Sequence, residues 1–414
     1  MRKHLLLLLL LLPVVAGAQT RDAVNDIMYD FKDDAKASVV SHSDFYYSGD
    51  IVIPETVTYR GVTYTVTEIA DIAFQGCHEL TSVAMPNTIT RIGNYAFTQC
   101  RALATLTLSS SLAQIGTSAF SESGLTGIVI PNSVCEIGDA LFAMSASLTS
   151  VTLPEGIMSI PDYTFYQCPS LTSITIPNSV AWIAPYAFNG CTSLASVTFP
   201  DNVNFSYINA FAFENCTSLT SVVIPNSVIY LWGGVFRGCT SLASVTLGSG
   251  LQYLNGQDFA NCPNLKSVTC LSGGGLTAYP AEFMGSPVGS ATLYVPSSSV
   301  SYYKSQEPWN TFGRIVPLKC AEPVITFENG IVTATCSTPG SNCELKAFFF
   351  SMITGQDVVI PEFELRVTAT ATADGFEPTE VTTTFGHILL GDMDGDGKLT
   401  PEDASRLASK ILGK

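Results

Sequence analysis

Charge is scarce in this sequence. Only 13% of its 414 residues are Asp, Glu, Lys or Arg, about half the usual share of roughly 25%. The balance is acidic, with 19 basic residues against 35 acidic ones and a net charge of −16. That sign disfavours nucleic acid or an anionic membrane surface as a partner. Histidine is scarcer still, at four residues, and none stands near a partner that would make a catalytic pair. There is no Gly-x-Ser-x-Gly elbow. The run Gly273–Gly275 does not lead into a recognisable helix, so it is a poor phosphate loop. No cysteine pair has C-x-x-C spacing, which argues against zinc. Without a constellation to carry chemistry, the chain reads as no enzyme. Beyond the first residues, no apolar run approaches the ~20 residues of a membrane span, so no transmembrane segment is expected.

The start of the chain reads as an address. Arg2 and Lys3 precede an apolar stretch from Leu5 to Val15, and Ala16-Gly17-Ala18 offers a small-residue cleavage site. This is the layout of a secretory signal peptide over residues 1–18, so the protein is expected to be exported, to the extracellular medium or the cell surface. Its removal takes two basic residues and no acid, leaving 17 basic against 35 acidic. With so little charge, solubility must rest on Ser, Thr and Asn.

What the sequence has in abundance is repetition. Phenylalanine recurs at 74, 97, 120, 142, 165, 188, 213, 236, 259 and 283, in steps of 22 to 25 residues. Such a period means a solenoid of about ten coils. Each unit carries a run like Leu171-Thr-Ser-Ile174-Thr-Ile176, whose last residues alternate as a half-buried strand does. Proline closes many runs (Pro86, Pro131, Pro154, Pro177, Pro200, Pro225), where its missing N–H costs no ladder bond. One coil cannot bury its Leu, Ile and Phe alone; stacking on its neighbours does that.

The unit "LTSITIPNSVAWIAPYAFNGCTS" (171–193) resembles the leucine-rich repeats of BspA-like bacterial surface proteins, and the resemblance covers residues 67–318. The stretch 291–318 looks like that family's closing cap and 44–66 like its opening β-hairpin, within an amino-terminal β cap over 19–66. The resemblance implies a right-handed, mainly β leucine-rich-repeat solenoid. It also implies attachment to host matrix proteins, cell surfaces, other bacteria or their polysaccharides.

Seven of the twelve cysteines sit three residues after a repeat Phe: Cys77, Cys100, Cys168, Cys191, Cys216, Cys239 and Cys262. Ser123, Ser145 and Ser286 fill the same column. Stacked side chains point in parallel, the wrong geometry for a disulfide, so free, buried thiols are expected. Among Cys320, Cys336 and Cys343, one bridge is compatible with the sequence.

After Cys320 the period is lost. Asn329-Gly330 and Asp374-Gly375 each separate two alternating runs, a hairpin signal. Residues 320–386 therefore read as a small antiparallel β-sandwich, similar to Ig-like modules. In 387–414, Asp392, Asp394, Asp396, Lys398, Thr400 and Asp403 fall at positions 1, 3, 5, 7, 9 and 12 of a calcium loop, with Gly397 at the turn and Lys398 offering only its carbonyl. A helix should follow, giving an EF-hand-like loop-helix, with Ala404, Leu407, Ala408, Ile411 and Leu412 on its apolar face. This resembles one of the two calcium repeats of a dockerin, which implies Ca2+ as cofactor and a cohesin-type domain as partner; only one copy is present.

Two surface columns are candidates for a ligand. Outward strand positions carry Ser-x-Thr in several coils (Ser150/Thr152, Ser173/Thr175, Ser196/Thr198, Ser244/Thr246, Ser267/Thr269), a neutral hydroxyl ladder that suits a solvated sheet. Six residues before the repeat Phe stand Glu68, Arg91, Gln114, Glu136 and Ser159, then Trp182, Tyr207, Tyr230 and Tyr253, with Trp232 two places after Tyr230. Exposed aromatics in consecutive coils form either a platform for a sugar or protein ligand or rings that stabilise one another across strands. The sequence thus points to a non-catalytic adhesion protein. Its second reading is an assembly component held through the calcium module.

Overall fold

In a computed structural model the described residues are 20–320, most of 323–389 (323–328, 331–335, 342–351, 362–373 and 376–389), and Arg406. The expected leader and calcium loop-helix lie outside them. The fold is mainly β, a β-solenoid of about eleven turns with very little helix. That is one turn more than the ten counted from phenylalanine, because turns without a repeat Phe also add strands. The chain divides into two compact units. One holds residues up to Ala243 with Tyr253–Asn264 and Ala278–Ser286; the other holds Ser244–Gln252, Leu265–Thr277 and the chain from Pro287 onward.

The first unit opens with an antiparallel meander, Thr20–Val24, Ile27–Phe31 and Lys36–Val39. Val62–Ile69 runs parallel to the last of these and antiparallel to Thr56–Tyr59. The opening hairpin expected in 44–66 is therefore confined to 56–65. Gly49–Val52 instead pairs in parallel with Leu80–Ala84 and starts the strand ladder of the repeats. Two parallel ladders follow. The sequence foresaw the one that runs through Leu80–Ala84, Thr105–Thr107 and their successors. The other is built of two-residue strands, Arg91–Ile92, Gln114–Ile115 and Glu136–Ile137, then Ser159–Ile160 through Tyr253–Leu254.

Between the ladders lies the core. The repeat phenylalanines are buried from Phe74 to Phe283, and successive rings stack with centroids 4.9 to 5.8 Å apart. Each Phe turn hands its backbone to the next coil: Phe97 N–H donates to Ala119 O at 2.8 Å, and Phe165 N–H to Ala187 O at 2.7 Å. The seven thiols of the cysteine column are free and buried. Six of them also donate Sγ–H to the Phe carbonyl one coil back, from Cys100 on Phe74 O at 3.0 Å to Cys262 on Phe236 O at 3.4 Å. Ser145 and Ser286 make the same bond through Oγ, to Phe120 O at 2.9 Å and Phe259 O at 2.7 Å. The column thus selects a small side chain with one donor, which is why serine and cysteine interchange there. Burial pushes the thiols up, Cys168 and Cys262 to about 12, so they stay protonated donors.

The longest coil inserts Phe205 into this core, fully buried and 5.8 Å from Phe199. Asn202 makes the detour, accepting from Asn204 N at 2.7 Å and Phe205 N at 3.0 Å.

In the second unit Ser244–Leu247, Ser267–Cys270, Thr292–Val295 and Arg314–Pro317 form consecutive parallel pairs. The helix Val300–Ser305 brings in Tyr303, and Trp309 follows it. Trp309 Nε1–H donates to Leu276 O at 2.8 Å, and Tyr303 Oη accepts from Leu276 N at 3.0 Å. Beyond them an antiparallel hairpin, Val324–Glu328 with Ile331–Thr335, brackets the Asn-Gly pair. An antiparallel sheet of Asn342–Ser351, Glu362–Thr372 and Thr379–Leu389 comes last. Its final strand runs past the boundary expected at 386.

One polar pair is sealed in the first unit. Asp258 and Glu282 are both fully buried. Glu282 accepts from Asp258 N at 2.9 Å and Gly256 N at 3.0 Å, and Asp258 accepts from Val235 N at 3.0 Å. Burial, and then the Asp258 charge beside it, raise Glu282 far above the usual carboxylate range. A carboxyl raised on folding stabilises the native state below its unfolded value, 4.5, and that contribution fades as pH rises toward the folded one. Glu282→Gln should therefore flatten the loss of melting temperature between pH 5 and pH 10 relative to the parent chain. Thermal denaturation across that range, read for both proteins, checks this.

Candidate functional site

The aromatic column lies on the short-strand ladder. Ser159 pairs with Trp182, Trp182 with Tyr207, Tyr207 with Tyr230, and Tyr230 with Tyr253. Strand alternation sends the following residue of each pair, Ile183, Ile208, Leu231 or Leu254, into the core, so the aromatic partner is turned outward. Trp182 is 39% exposed, Tyr207 38%, Tyr253 43% and Trp232 49%. These are large rings left in solvent in adjacent coils.

Three of the rings stack. Tyr207 and Tyr230 lie 5.8 Å apart at 8°, and Tyr230 and Tyr253 lie 5.6 Å apart at 7°. Trp232 leans on Tyr230 at 5.8 Å and 38°. Trp182 shares the backbone register but stands outside the ring stack. Stacking has a chemical consequence. Both faces of Tyr230 are turned to neighbours, so the centre of the stripe offers ring edges and phenol hydroxyls rather than open π-faces. The three phenols have no hydrogen-bond partner within the described residues.

A second aromatic column lies two residues before the repeat Phe, a place that sequence reasoning passed over. Tyr163 and Tyr186 stack at 5.0 Å and 2°, and Tyr186 and Phe211 at 5.1 Å and 24°. All three take positive φ, 57° to 58°, in the turn that leads into the core phenylalanine. The signal was in the sequence as Tyr95 and then Tyr, Tyr, Phe in consecutive coils at one repeat position, but that position belongs to no strand. Gly234 ends the column: a Cβ there would stand 2.5 Å from the Phe211 ring, at φ +65°.

Toward the amino terminus the column that carries Trp182–Tyr253 is charged. Glu68 accepts from Lys32 Nζ at 2.8 Å and Ser38 Oγ at 3.0 Å, and it pairs with Arg91, which also meets Asp71 at 3.0 Å. Burial works against an ionised Glu68, but Lys32, Ser38 and Arg91 outweigh it and hold the carboxyl below its ordinary range. The opposite ladder presents Ser150, Thr152, Ser173, Thr175, Ser196 and Thr198 to solvent, the neutral hydroxyl surface expected.

Asp392, Asp394, Asp396, Lys398, Thr400 and Asp403 lie outside the described residues, and among those described no group of three or more His, Cys, Asp or Glu could hold a metal ion. No helix of the described residues is long and apolar enough to cross a membrane.

The family model described as the BspA type leucine rich repeat region matches residues 67–180 and 158–274, in six copies. The chain belongs to the BspA-type leucine-rich repeat family. A leucine-rich repeat protein from Bacteroides ovatus is 26% identical, with a TM-score of 0.51, over 72% of this chain and 88% of its own. A leucine-rich cell surface protein from Faecalibacterium prausnitzii is 24% identical (TM-score 0.43, 73% of this chain and 95% of its own). A leucine-rich repeat protein of T. pallidum is 28% identical (TM-score 0.43, 48% and 91%). No curated protein matches the chain. Leucine-rich repeat proteins of this kind are generally non-enzymatic scaffolds that bind protein or surface ligands.

Gly234 offers a test of the second column. Gly234→Ala should cost about 1–2 kcal/mol from its left-handed backbone alone and displace Phe211, lowering the melting temperature. An alanine at Gly289, where a Cβ meets nothing within 4 Å, should leave it near the parent value.

Proposed function

We propose that this is an exported, non-catalytic adhesion protein that grips a protein surface through the aromatic stripe of Trp182, Tyr207, Tyr230, Trp232 and Tyr253. The observation that carries the reading is the stack itself. Rings spent on one another leave edges and unpartnered phenols pointing outward, and such groups suit side chains and backbone carbonyls. A sugar ring needs an open aromatic face, and Tyr230 has none. Tyrosine and tryptophan also dominate the energetics of protein interfaces, where losing one central ring typically costs about 2 kcal/mol or more. Host matrix and cell-surface proteins are the ligand class, with bacterial surface proteins beside them; polysaccharide ranks below both.

Binding to immobilised matrix proteins, compared between the parent chain and Tyr207→Ser/Tyr230→Ser, tests this. The double variant should bind at least about 30-fold more weakly while its melting temperature stays close to that of the parent. Equal binding would remove the stripe from the site, and a polysaccharide-only hit would reverse the ligand class.

The calcium motif favours a second, compatible role. In it, Asp392, Asp394, Asp396, the carbonyl of Lys398, Thr400 and Asp403 hold Ca2+ and present the carboxy-terminal helix to a cohesin-type domain. The Ig-like segment is then a spacer. Calcium should bind the parent chain at one site by calorimetry and fail to bind Asp392→Ala/Asp396→Ala. Capture by a cohesin domain only when calcium is present would establish the assembly role.

A further inference from the structure

A different site opens at the amino-terminal end of the first unit. The cross-strand register lines up Arg21 with Asp30, Asp30 with Ser38, Ser38 with Glu68 and Glu68 with Arg91. These residues, with Lys32 and Asp71, line a groove of about 380 Å³. Most of its charges are committed. Glu68 holds Lys32, Ser38 and Arg91, and Asp71 holds Arg91 and the Asn94 N–H at 2.8 Å. Asp30 is the exception. It is only 5% exposed, and its Oδ1 is buried with no donor. Ser38, its neighbour across the sheet, has given its hydroxyl to Glu68. Arg21, at the exposed edge of the groove, makes no ion pair among the described residues.

A buried carboxylate without a donor is destabilising unless something supplies one. We propose that the groove binds a primary ammonium group, whose N–H donors meet the Asp30 carboxylate. A divalent cation fits less well. Asp30 is the single uncommitted carboxylate, Lys32 and Arg21 stand beside it, and no three potential metal ligands cluster among the described residues. An ammonium carries one charge and three donors on a compact head, which matches one buried carboxylate lining the groove. The amine is either a chain amino terminus or a lysine side chain, and the chemistry at Asp30 is the same for both.

The test titrates the full chain with glycinamide and with N-acetyl-lysine amide, following the backbone amide resonances of Asp30 and Ser38. Tetramethylammonium, which has no N–H, is the control. At least one amine should give saturable shifts and tetramethylammonium none, and which amine saturates names the source. Asp30→Asn should bind the amine at least tenfold more weakly while melting at or above the parent temperature. The proposal is overturned if neither amine saturates, if tetramethylammonium shifts the same resonances, or if Asp30→Asn binds as well as the parent. Arg21→Gln supplies the remaining control. If it melts as far below the parent as Asp30→Ala does, and neither amine saturates the parent chain, Arg21 folds over the carboxylate and the groove has no ligand; amine binding retained in Arg21→Gln keeps the site on Asp30.

Discussion

Everything in this fold depends on one turn, the segment from the repeat phenylalanine to the small donor three residues later. The Phe ring stacks on its counterparts in the coils before and after, its N–H goes forward to the next coil, and its carbonyl receives the Cys or Ser donor of that coil. Apolar stacking is non-directional and would tolerate slippage. A carbonyl that must meet one donor tolerates none, because a buried backbone group left unmet is costly. The ring supplies adhesion between coils and the thiol or hydroxyl supplies register. Both are needed for a ladder whose strands are only two or three residues long.

That division explains what the surface is free to do. Because register is fixed inside the turn, the outward positions of the short ladder need not set it, and their chemistry changes along the chain. In the early coils it is charged and closed upon itself through Glu68 and Arg91. From Trp182 onward it is aromatic and exposed. A chain with so few charges cannot use electrostatics to select a partner along much of its surface, and net acidity tends to repel acidic partners. Under the proposed function, stacked tyrosines would provide affinity without charge, and their mutual stacking would limit the entropy lost when a partner seats on them.

The sequence was a good guide where periodicity meets packing and a poor one elsewhere. The repeat phenylalanines, the strand runs and the outward aromatic column all follow from counting, because each is one residue type at one place per coil. Cysteine burial followed from the same column, but the donor role did not: it needs the Phe carbonyl one coil back, and nothing in a spacing says where a carbonyl points. The short ladder was legible as a solvent-facing position and not as a strand, since two residues are too few for an alternation to show. Tyr163, Tyr186 and Phe211 were missed for a related reason. They sit in left-handed turn positions, where tyrosine is a poor guess by backbone preference.

Those turn aromatics also bear on the ring stripe. Two separate columns, one on a strand and one in a turn, become aromatic over overlapping coils of the first unit, from Tyr163 to Phe211 and from Trp182 to Tyr253. The regularity of the backbone explains neither. The strand pairs are equally regular where Gln114 and Glu136 occupy the place, and the turn is equally regular at Ser118 and Ala140. Tyr95 already holds the turn place alone in an earlier coil, so what sets the later run apart is continuity: Tyr163, Tyr186 and Phe211 stand in successive coils and stack. Under the proposed function, the exposed members of the two runs, Tyr163, Trp182, Tyr207, Trp232 and Tyr253, are the rings that a protein partner would cover.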